Sequence, residues 1–593
     1  MPQPAVDTAL HLPPQLTTGH WQDAARAMLA KLLGEFSYEE LLHPRSEGGR
    51  DHYLLELPDA DYRFTARRGA YGSWQVDPGS ITGGEDPLRF LQQARHTLKL
   101  SGDTTGHLVR ELTATLIADA HLRATALTAA ELADLDHAAL EGRQTGHPWI
   151  VANKGRLGFS ANDAAGWAPE ARLPRTLPWL AVHKNLAAFR GDETIYQTEL
   201  DPAFRAQLGA RADEFWLLPV HPWQWDETVV GLFAPWIASG EIVPLPTDGD
   251  LRLPQQSIRS FFNLSRPDRC TVKLPLAILN TLVWRGLPTE RALAAPAVTA
   301  WIQRLRDQDP YLREECRVIL LGEIASVTVE HPLYRDLPDA PYQYKELLGA
   351  IWREPLGRHL DEGERGRTLA ALLQTGSDGR ALTAELVARS GLDVRAWVER
   401  LFAVMLPPLL HFLYRYGLVF SPHGENAIIV FDQQDVPVRL AVKDFVDDVN
   451  ISDQPLPELA DLPDGIGEVL LRENPDYLCQ FLHSGLFIGV YRYLAPLLEE
   501  QLGLPEAEFW ELLTERIRDC QRRFPELADR HKLFDLFAPR IDRLCLNRNR
   551  LLLDGYRDRP DRPHAAVHGQ VDNPLHSTAH LPARPQRIVT PAP

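Results

Sequence analysis

One stretch constrains the fold of this chain more than any other: residues 418–448, LVFSPHGENAIIVFDQQDVPVRLAVKDFVDD. Two apolar runs, 426–431 and 438–442, flank the turn-forming residues 432–437. Apolar runs separated by Asp, Gln and Pro are typical of a β-hairpin. The sequence therefore predicts a hairpin here, with polar groups at its open end.

The polar groups at that open end predict a phosphate and Mg²⁺ site. His423 and Asn426 precede the first strand, and Asp444 follows the second. Because a hairpin returns its far end beside its start, we expect Asp444 to lie within reach of His423 and Asn426. An amide and a carboxylate can hold Mg²⁺ together with nucleotide phosphates. The competing interpretation, a polar surface turn, would suffice for the HG or KD pair alone.

Composition limits the class of protein. A chain of 593 residues exceeds one ordinary core, so we expect two to four domains. Its 44% apolar and 24% charged residues are those of a globular protein. The net charge of −18 argues against a nucleic-acid-binding surface. An anionic substrate would need a locally cationic pocket.

The cysteines and the apolar segments favour a cytoplasmic protein without a membrane span. Five scattered cysteines include no CxxC pair, which argues against a zinc ribbon or a disulfide framework. The N-terminal residues 1–15 lack the features of a signal peptide. The longest strongly apolar run, residues 401–414, is too short to cross a bilayer.

Residues 1–140 are predicted to form a first, mainly helical domain. Residues 1–19 are rich in proline and expected to be loose, and a helical pattern begins at Trp21. Residues 52–74 alternate as paired strands would, and a long helical region follows from residue 87 to about 142.

A glycine-punctuated loop, residues 141–170, is the second candidate site. His147, Lys154 and Arg156 place three potentially cationic groups within ten residues. Such a loop can bring backbone N–H groups and side chains together on an anion. The alternative is an exposed basic loop.

Residues 253–288 form the third cluster. Residues 271–274 are predicted as a short strand, and Pro275 is expected to open a helix whose packed face includes residues 276, 279, 282 and 283. Ser257 and Arg259 would share one face of a preceding strand, with Ser260 beside them. Arg259, Lys273 and Arg285 then lie near element ends, where side chains can point into a cleft.

The C-terminal part is predicted to be helical around the hairpin, with helices at residues 367–374, 382–390 and 394–416. Residues 556–593 are rich in Pro, Arg and His. Their histidines lie among prolines without a Cys or carboxylate framework, so they are interpreted as a solvated tail, not as a metal site. These histidines are His564, His568, His576 and His580.

Together these clusters predict a site for polyanions and Mg²⁺. Cations and a metal around a reacting phosphate are the electrostatic basis of phosphoryl and nucleotidyl transfer. No P-loop, dinucleotide fingerprint, nucleophile elbow or HExxH helix is present in the sequence. The residues alone leave two hypotheses: a small-molecule kinase, or a ligase that activates a carboxylate with ATP.

Taken in order, the motifs of this chain resemble those of the IucA/IucC family of NRPS-independent siderophore synthetases. The matching stretches are GHPWIVANKGRLGFS, LLPVHPWQW, LPQQSIRSFFN, VKLPLAILNTLVWRGLP, SPHGENAIIV, VKDF, LCLNRNRLL and NPL. The resemblance covers nearly the whole chain. It implies an α+β fold shaped like a hand, with a thumb (1–140), fingers (141–357) and a palm that resembles kinases (358–555), followed by the tail (556–593).

The resemblance also implies an activity. Members of the family use ATP and Mg²⁺ to adenylate a carboxylate of citrate, succinate or a mono-amide of these acids. An amine or hydroxylamine then displaces AMP to give an amide. A homodimer is expected by the same resemblance.

Residue by residue, the resemblance assigns roles within the site. Ser257, Arg259, Ser260 and Lys273 match the ATP-binding segment, and Arg285 matches the arginine near the phosphates and the carboxylate substrate. His423 and Asn426 match the ATP-site motif of the palm, and Asp444 matches its acidic, Mg²⁺-binding partner. His147, Lys154 and Arg156 match the loop that holds the transferring phosphate. Lys273, Arg285 and His423 are the catalytic candidates.

Four positions depart from the common family pattern: Ile150-Val151 replaces a second HP, Ser260 a Thr, Glu425 a Gln and Lys443 an Arg. The chemistry adds one demand. Deprotonating an alkylamine of pKa ~10.4 at pH 7 costs roughly 4.6 kcal/mol, so a base or a less basic hydroxylamine is needed. His423 is a candidate base, or else only a phosphate ligand.

Overall fold

The structure, a computed structural model, describes residues 16–460, 462–553, 555–559 and 565–579. Helices and sheets are mixed along the chain, as the predicted α+β class requires. The three domain boundaries stay a prediction. Most of residues 1–19 lie outside the described residues.

The N-terminal part pairs a helical layer with a small antiparallel sheet, as predicted. Its first helix packs against the third, burying Leu32 and Leu33 completely. The strands follow one another in the sheet in the order β1-β2-β3-β4. The elements are α1 (Thr18–Tyr38), β1 (Arg45–Ser46), β2 (His52–Leu57), β3 (Ala60–Arg68), β4 (Trp74–Val76), α2 (Pro87–Ala94), α3 (Gly102–Ala124), α4 (Ala129–Asp134) and α5 (His137–Glu141).

The middle part is built on strands and carries the elements that reach the site. Its strands and helices are α6 (Ala161–Trp167), β5 (Pro178–His183), β6 (Ala187–Gly191), α7 (Glu193–Glu199), α8 (Pro202–Leu208), β7 (Phe215–Pro219), α9 (Pro222–Gln224), α10 (Val230–Leu232), α11 (Ala234–Ala238), β8 (Ile242–Thr247), β9 (Arg252–Pro254), β10 (Ser260–Asn263), β11 (Thr271–Lys273), β12 (Leu276–Asn280), β13 (Val283–Arg285), α12 (Thr289–Gln308), β14 (Ile319–Leu321), β15 (Glu323–Val329), α13 (Pro332–Arg335) and β16 (Leu348–Arg353). One sheet has the order β6-β15-β16-β11-β10-β9 and another the order β7-β5-β8.

The helix predicted from Pro275 is wrong: the chain forms the hairpin β12–β13 there. The apolar spacing of Leu276 and Leu279 fits a helix, but tertiary pairing decides otherwise. Leu279 exchanges two backbone hydrogen bonds of 2.9 Å with Leu157 of the glycine loop. Thr281 at the turn has φ +57°, a left-handed conformation that ends any regular helix. The helix α12 begins only at Thr289.

The C-terminal part surrounds the predicted hairpin with helices. Its elements are β17 (Arg365–Thr368), α14 (Leu382–Ser390), α15 (Val394–Tyr416), β18 (Leu418–Phe420), β19 (Ala427–Phe431), β20 (Pro437–Lys443), α16 (Phe445–Asp448), β21 (Val449–Ser452), α17 (Ile466–Val469), β22 (Arg472–Glu473), α18 (Pro475–Phe481), α19 (Arg492–Leu502), α20 (Glu506–Arg523), α21 (Ala528–Leu533), β23 (Arg540–Cys545), α22 (Leu546–Leu552), β24 (Ala566–Asp572) and α23 (Pro574–Ala579). A π-helical segment, Leu482–Tyr491, joins α18 to α19.

The predicted hairpin is confirmed as β19–β20, with Ala427 opposite Val442. It lies in a sheet of order β14-β20-β19-β17. The helices predicted at 382–390 and 394–416 are confirmed, whereas the one at 367–374 is wrong. Residues Arg365–Thr368 pair with β19 instead, and a 3₁₀ segment, Leu369–Leu373, follows.

Two helical stretches of the described chain are long and apolar enough to cross a membrane, Val394–Tyr416 and Pro475–Leu502. Of the most apolar 18 residues in each stretch, 67% and 61%, respectively, are buried. Both pack into the same core cluster, which is the ordinary position of a core helix in a globular protein.

The interpretation of residues 556–593 as a solvated tail is wrong for residues 565–579. Strand β24 pairs with β23, and Leu575 of α23 is fully buried. Asn573 fixes the connection, since its amide donates to the carbonyls of Leu536 (2.9 Å) and Ala538 (2.8 Å). The NPL motif therefore has a structural role. His564 and His580 lie outside the described residues.

Candidate active site

A cavity of about 610 Å³ lies between the middle part and the hairpin β19–β20. Its charges are divided between two walls. Lining residues between 144 and 353 include six Lys or Arg and no carboxylate, whereas those between 421 and 490 include five carboxylates and one Lys. The cations are Arg156, Arg259, Lys273, Arg285, Arg291 and Arg353; facing them are Glu425, Asp444, Asp447, Asp448 and Glu473, with Lys443. The locally cationic pocket that an acidic protein needs for an anionic substrate is present.

Lys273, on β11, joins the two walls. Its Nζ lies 2.6 Å from Oδ1 of Asp444 and 2.8 Å from Oδ2 of Asp447. Burial alone would lower the pKa of Lys273, but these carboxylates outweigh it and raise the pKa above its ordinary value. Lys273 is therefore charged, buried and paired.

Asp444 also accepts a hydrogen bond from Arg353 of β16. Nη2 of Arg353 lies 2.8 Å from Oδ1 of Asp444 and 3.1 Å from Oε1 of the fully buried Glu323. Burial opposes ionisation of Asp444, but Lys273 and Arg353 hold its pKa well below the usual range. Asp444 itself has φ +72°, a left-handed conformation that Asp tolerates better than most residues.

The sequence predicted Asp444 within reach of His423 and Asn426, but the carboxylate that contacts these two residues belongs to Asp448, one helical turn further along the chain. Asn426 donates to Oδ2 of Asp448, and the same oxygen lies 3.7 Å from Nε2 of His423. Nδ1 of His423 accepts the backbone N–H of Glu425 at 3.2 Å. Burial would lower the pKa of His423, but Asp448 outweighs it and raises the pKa.

The segment around Ser257 is bent, not extended. Ile258 has φ +65°, which is rare for a β-branched side chain, so the two-residue period expected for Ser257 and Arg259 does not hold. Backbone strain of this kind clusters at binding sites. Ser257, Arg259 and Ser260 nevertheless all line the cavity. Oγ of Ser257 is buried and has no hydrogen-bond partner among the described residues.

Arg285 reaches the cavity from the hairpin β12–β13, not from a helix terminus. Its Nη2 donates to the carbonyl of Asn280 at 3.0 Å and to the hydroxyl of Thr281. The guanidinium is thus held by its own hairpin while it lines the cavity. Arg259, buried beside it, donates to the carbonyl of Gly286.

The glycine loop places only part of its predicted set at the cavity. Burial lowers the pKa of His147 to about 3, so this ring is neutral, not cationic. Lys154 is not a lining residue; its buried Nζ donates to Thr145 and lies 3.3 Å from Asp119. Arg156 lines the cavity but forms a buried, two-armed ion pair with Glu170.

Sequence reasoning missed several site residues. Asp447 and Asp448 follow Asp444 at spacings of three and four, which places all three carboxylates on one side of a helical turn. That spacing was a usable signal. No sequence signal pointed to Arg353 or Glu323, because only the pairing of strands β15, β16 and β11 in the sheet brings these residues beside Lys273.

Comparison with known proteins decides the family. Residues 136–374 match the sequence model of the IucA / IucC family, and residues 395–559 match that of a ferric iron reductase FhuF-like transporter. The rhizobactin siderophore biosynthesis protein RhbF of Rhizobium meliloti is 42% identical over 585 residues, covering 95% of this chain and 97% of the relative. The chain belongs to the IucA/IucC family.

Other relatives within the IucA/IucC family agree. Putrebactin synthase of a Shewanella species is 36% identical, covering 95% of this chain and 93% of the relative. The solved structure of the aerobactin synthetase IucC from Klebsiella pneumoniae superposes with a TM-score of 0.83 at 32% identity, covering 95% of this chain and 99% of that one. The sequence-based resemblance and the α+β fold are confirmed, and the chain is a ligase of siderophore biosynthesis.

Proposed function

We propose that this cavity binds ATP with its phosphates on the cationic wall and joins a carboxylate to an amine through an acyl-adenylate. The observation that carries the proposal is the division of charge: one cavity of about 610 Å³ is lined by six cations of the middle part and by five carboxylates from the hairpin side, and the two sets meet at Lys273 and Asp444. Such a division suits two anionic substrates on one side and a cationic nucleophile on the other.

The cationic wall lowers the barrier of the first half-reaction. A carboxylate that approaches a triphosphate meets strong repulsion, which Arg259, Arg285 and Lys273 offset. Fixed charges near the reacting phosphorus stabilise the transition state more than they stabilise bound ATP, because negative charge accumulates there. Ser257, whose hydroxyl has no partner among the described residues, is free to donate to a phosphate or ribose oxygen.

The carboxylates of the hairpin fit Mg²⁺. The described residues contain no group of three or more His, Cys, Asp or Glu arranged to hold a metal alone. Mg²⁺ with ATP needs only one or two carboxylates, since phosphates and water complete its shell. Asp444, which already accepts from Lys273 and Arg353, and Asp448, which the amide of Asn426 holds in place, are the residues that would supply them. An ion held there would neutralise phosphate charge.

The acid and the amine are proposed only by class. The relatives named above make siderophores, and the sequence resemblance implies citrate, succinate or a mono-amide of these as the acid. In the second half-reaction the amine nitrogen displaces AMP from the activated carbonyl. The anionic wall, from Ser421 to Val490, is the side of the cavity that suits its positive charge.

Pyrophosphate release tests the proposal. The protein, ATP and Mg²⁺ are incubated with citrate or succinate and hydroxylamine, and pyrophosphate, AMP and the hydroxamate are measured. We expect all three in equal amounts. Formation of ADP without pyrophosphate would instead identify a small-molecule kinase. A mass-spectrometric panel of acids and diamines then identifies the natural pair.

A further inference from the structure

The motif LCLNRNRLL, residues 544–552, has no part in the proposed function so far. It ends β23 and forms the helix α22. Asn547 and Arg550 of this helix are only 2% and 5% exposed, and neither of them lines the cavity. They lie three positions apart, so their side chains are neighbours on one side of the helix. A buried arginine is rare unless it is paired, so the partners of these two side chains decide what the motif does.

Asn547 joins a buried glutamate of the N-terminal part to the glycine loop. Its Nδ2 donates to Oε1 of the fully buried Glu39 at 2.9 Å and to the carbonyl of Trp149 at 3.1 Å. Its Oδ1 accepts the backbone N–H of Val151 at 3.0 Å. Trp149 lines the cavity, so α22 holds one lining segment in place from outside the cavity.

Arg550 makes the equivalent connection to a second lining segment, the turn of the hairpin β12–β13. Its Nη2 lies 3.2 Å from Oε1 of the fully buried Glu111 on α3 and donates to the carbonyl of Thr281. Its Nη1 donates to the carbonyl of Gly555 at 2.8 Å. The other oxygen of Glu111 accepts the hydroxyl of Tyr556 at 2.6 Å. The guanidinium of Arg550 is therefore fixed by the N-terminal, middle and C-terminal parts together.

Thr281 links Arg550 to the cavity. Its φ of +57° is a left-handed conformation that is strained for a β-branched residue. A residue keeps such a conformation only where the surrounding contacts hold it. The carbonyl of Thr281 accepts from Arg550, and its hydroxyl accepts from Nη2 of Arg285, which lines the cavity. A change at Arg550 therefore reaches Arg285 through this one turn.

We propose that Arg550 is a positioning residue that fixes the guanidinium of Arg285 by holding the Thr281 turn; this inference rests on the proposed function. Without Arg550 the strained turn can relax, and Arg285 loses the geometry in which it meets the reacting phosphate and the acid. Removing Arg550 also breaks its buried ion pair with Glu111 and destabilises the fold. Activity and stability therefore have to be measured separately.

A double-mutant cycle tests the proposal. Arg550→Met and Arg285→Ala are made singly and together, and acid-dependent exchange of pyrophosphate into ATP is measured at a temperature at which every variant is folded. We expect Arg550→Met alone to reduce exchange about 10-fold, part of the roughly 100-fold that a misplacement of about 1 Å can cost. In the Arg285→Ala background the same change should reduce exchange less than about 2-fold, because the group through which Arg550 acts is absent.

Arg550→Lys keeps the test valid if Arg550→Met does not fold. Its ammonium keeps a positive charge beside Glu111, but it lacks the planar fork with which the guanidinium reaches Thr281 and Gly555 together. We expect exchange to fall in Arg550→Lys only where Arg285 is present. Asn573→Ala, a destabilising change at a residue that does not line the cavity, is the control for lost stability. It should leave exchange by the folded protein unchanged in both backgrounds.

Three outcomes would overturn the assignment. Equal fold-losses from the Arg550 variants with and without Arg285 would make Arg550 a purely structural residue. Unchanged exchange in both Arg550 variants would show that the turn does not need it. Unchanged exchange in Arg285→Ala would remove the group on which Arg550 is proposed to act. Absence of exchange in the wild type would instead refute the proposed function itself.

Discussion

The ammonium of Lys273 lies 2.6 Å from the carboxylate of Asp444, although 171 residues separate them in the chain. The side chain of Lys273 is 3% exposed and that of Asp444 is 20% exposed. This contact joins the sheet that carries β11 to the hairpin β19–β20. Because both charged groups are already paired and largely removed from water, their positions in the cavity are fixed before any substrate binds.

Lys273→Met is expected to damage both stability and adenylation. Removing one partner of a buried ion pair leaves an uncompensated charge and costs about 3–5 kcal/mol. Here Asp447 and Asp444 lose their shared cation, so the short helix α16, which follows β20, should become mobile. Urea unfolding measures the first effect and pyrophosphate exchange the second.

The matched control for Lys273→Met is Lys532→Met, a lysine on α21 whose side chain is 80% exposed. Its exposed contact to Asp529 should contribute little. If Lys273→Met were as stable and as active as this control, the buried ion pair would have no role in shaping the site.

Asp444 predicts a pH dependence of stability. The pKa of Asp444 in the folded protein lies well below the ordinary value of about 3.9. Ionised Asp444 therefore stabilises the folded state, and this contribution is fully present at pH values above about 3.9. The contribution is lost as the pH falls through the folded pKa. The difference in free energy of unfolding between wild type and Asp444→Asn should therefore be largest near pH 7 and shrink below about pH 4. A difference independent of pH over this range would contradict the assignment.

His147 predicts that folding stability also falls with acid, at higher pH values than those at which Asp444 acts. The folded pKa of about 3 lies below the ordinary value of about 6.5. As the pH falls from 6.5 towards 3, the unfolded chain binds a proton that the folded ring does not, and stability decreases. His147→Gln removes this term. Urea unfolding at several pH values should show the wild type losing more stability than the variant across the window, and NMR should show a neutral His147 ring at pH 6.

The local pattern of the sequence was sufficient for the hairpin but not for its contacts. Residues 418–448 alternate apolar runs with a polar turn, and the structure follows that pattern. Which carboxylate reaches His423 depends on the short helix α16, whose Asp448 lies one turn beyond Asp444. A one-turn error of this kind is the usual limit of reasoning from spacing.

Tertiary pairing explains the elements that the sequence misassigned. Leu276 and Leu279 have helical spacing, yet hydrogen bonds to Leu157 of a distant loop favour a strand. Lys154 was predicted as a free cation because its partner, Asp119, lies 35 residues away on α3. The partner of Arg156, Glu170, ends the same loop, but only the folded loop brings the two side chains together. Burial and pairing are properties of the folded chain, and no local pattern reports them.

Asn573 tests the corrected role of the tail. Its amide donates to two backbone carbonyls and its Oδ1 accepts from Leu575 N at 3.1 Å. Asn573→Ala leaves buried polar groups unpaired, at a cost of about 1–3 kcal/mol. Thermal unfolding should show the loss, whereas Ser577→Ala, an exposed position on α23, should be nearly neutral. A neutral Asn573→Ala would restore the interpretation of a loose tail.

Arg285 tests the proposed role of the cationic wall in binding the acid and the phosphate. Arg285→Ala should reduce pyrophosphate exchange by about 100-fold, the effect of removing one fixed donor from a developing anion. Arg285→Lys keeps the charge but loses the planar fork, so its activity should lie between those of the alanine variant and the wild type. Thr281→Ala removes one contact of the guanidinium while leaving the charge, and its loss should be smaller still. Exchange that survives Arg285→Ala unchanged would place the reacting phosphate away from Arg285, because a fixed cation beside a developing anion lowers the barrier.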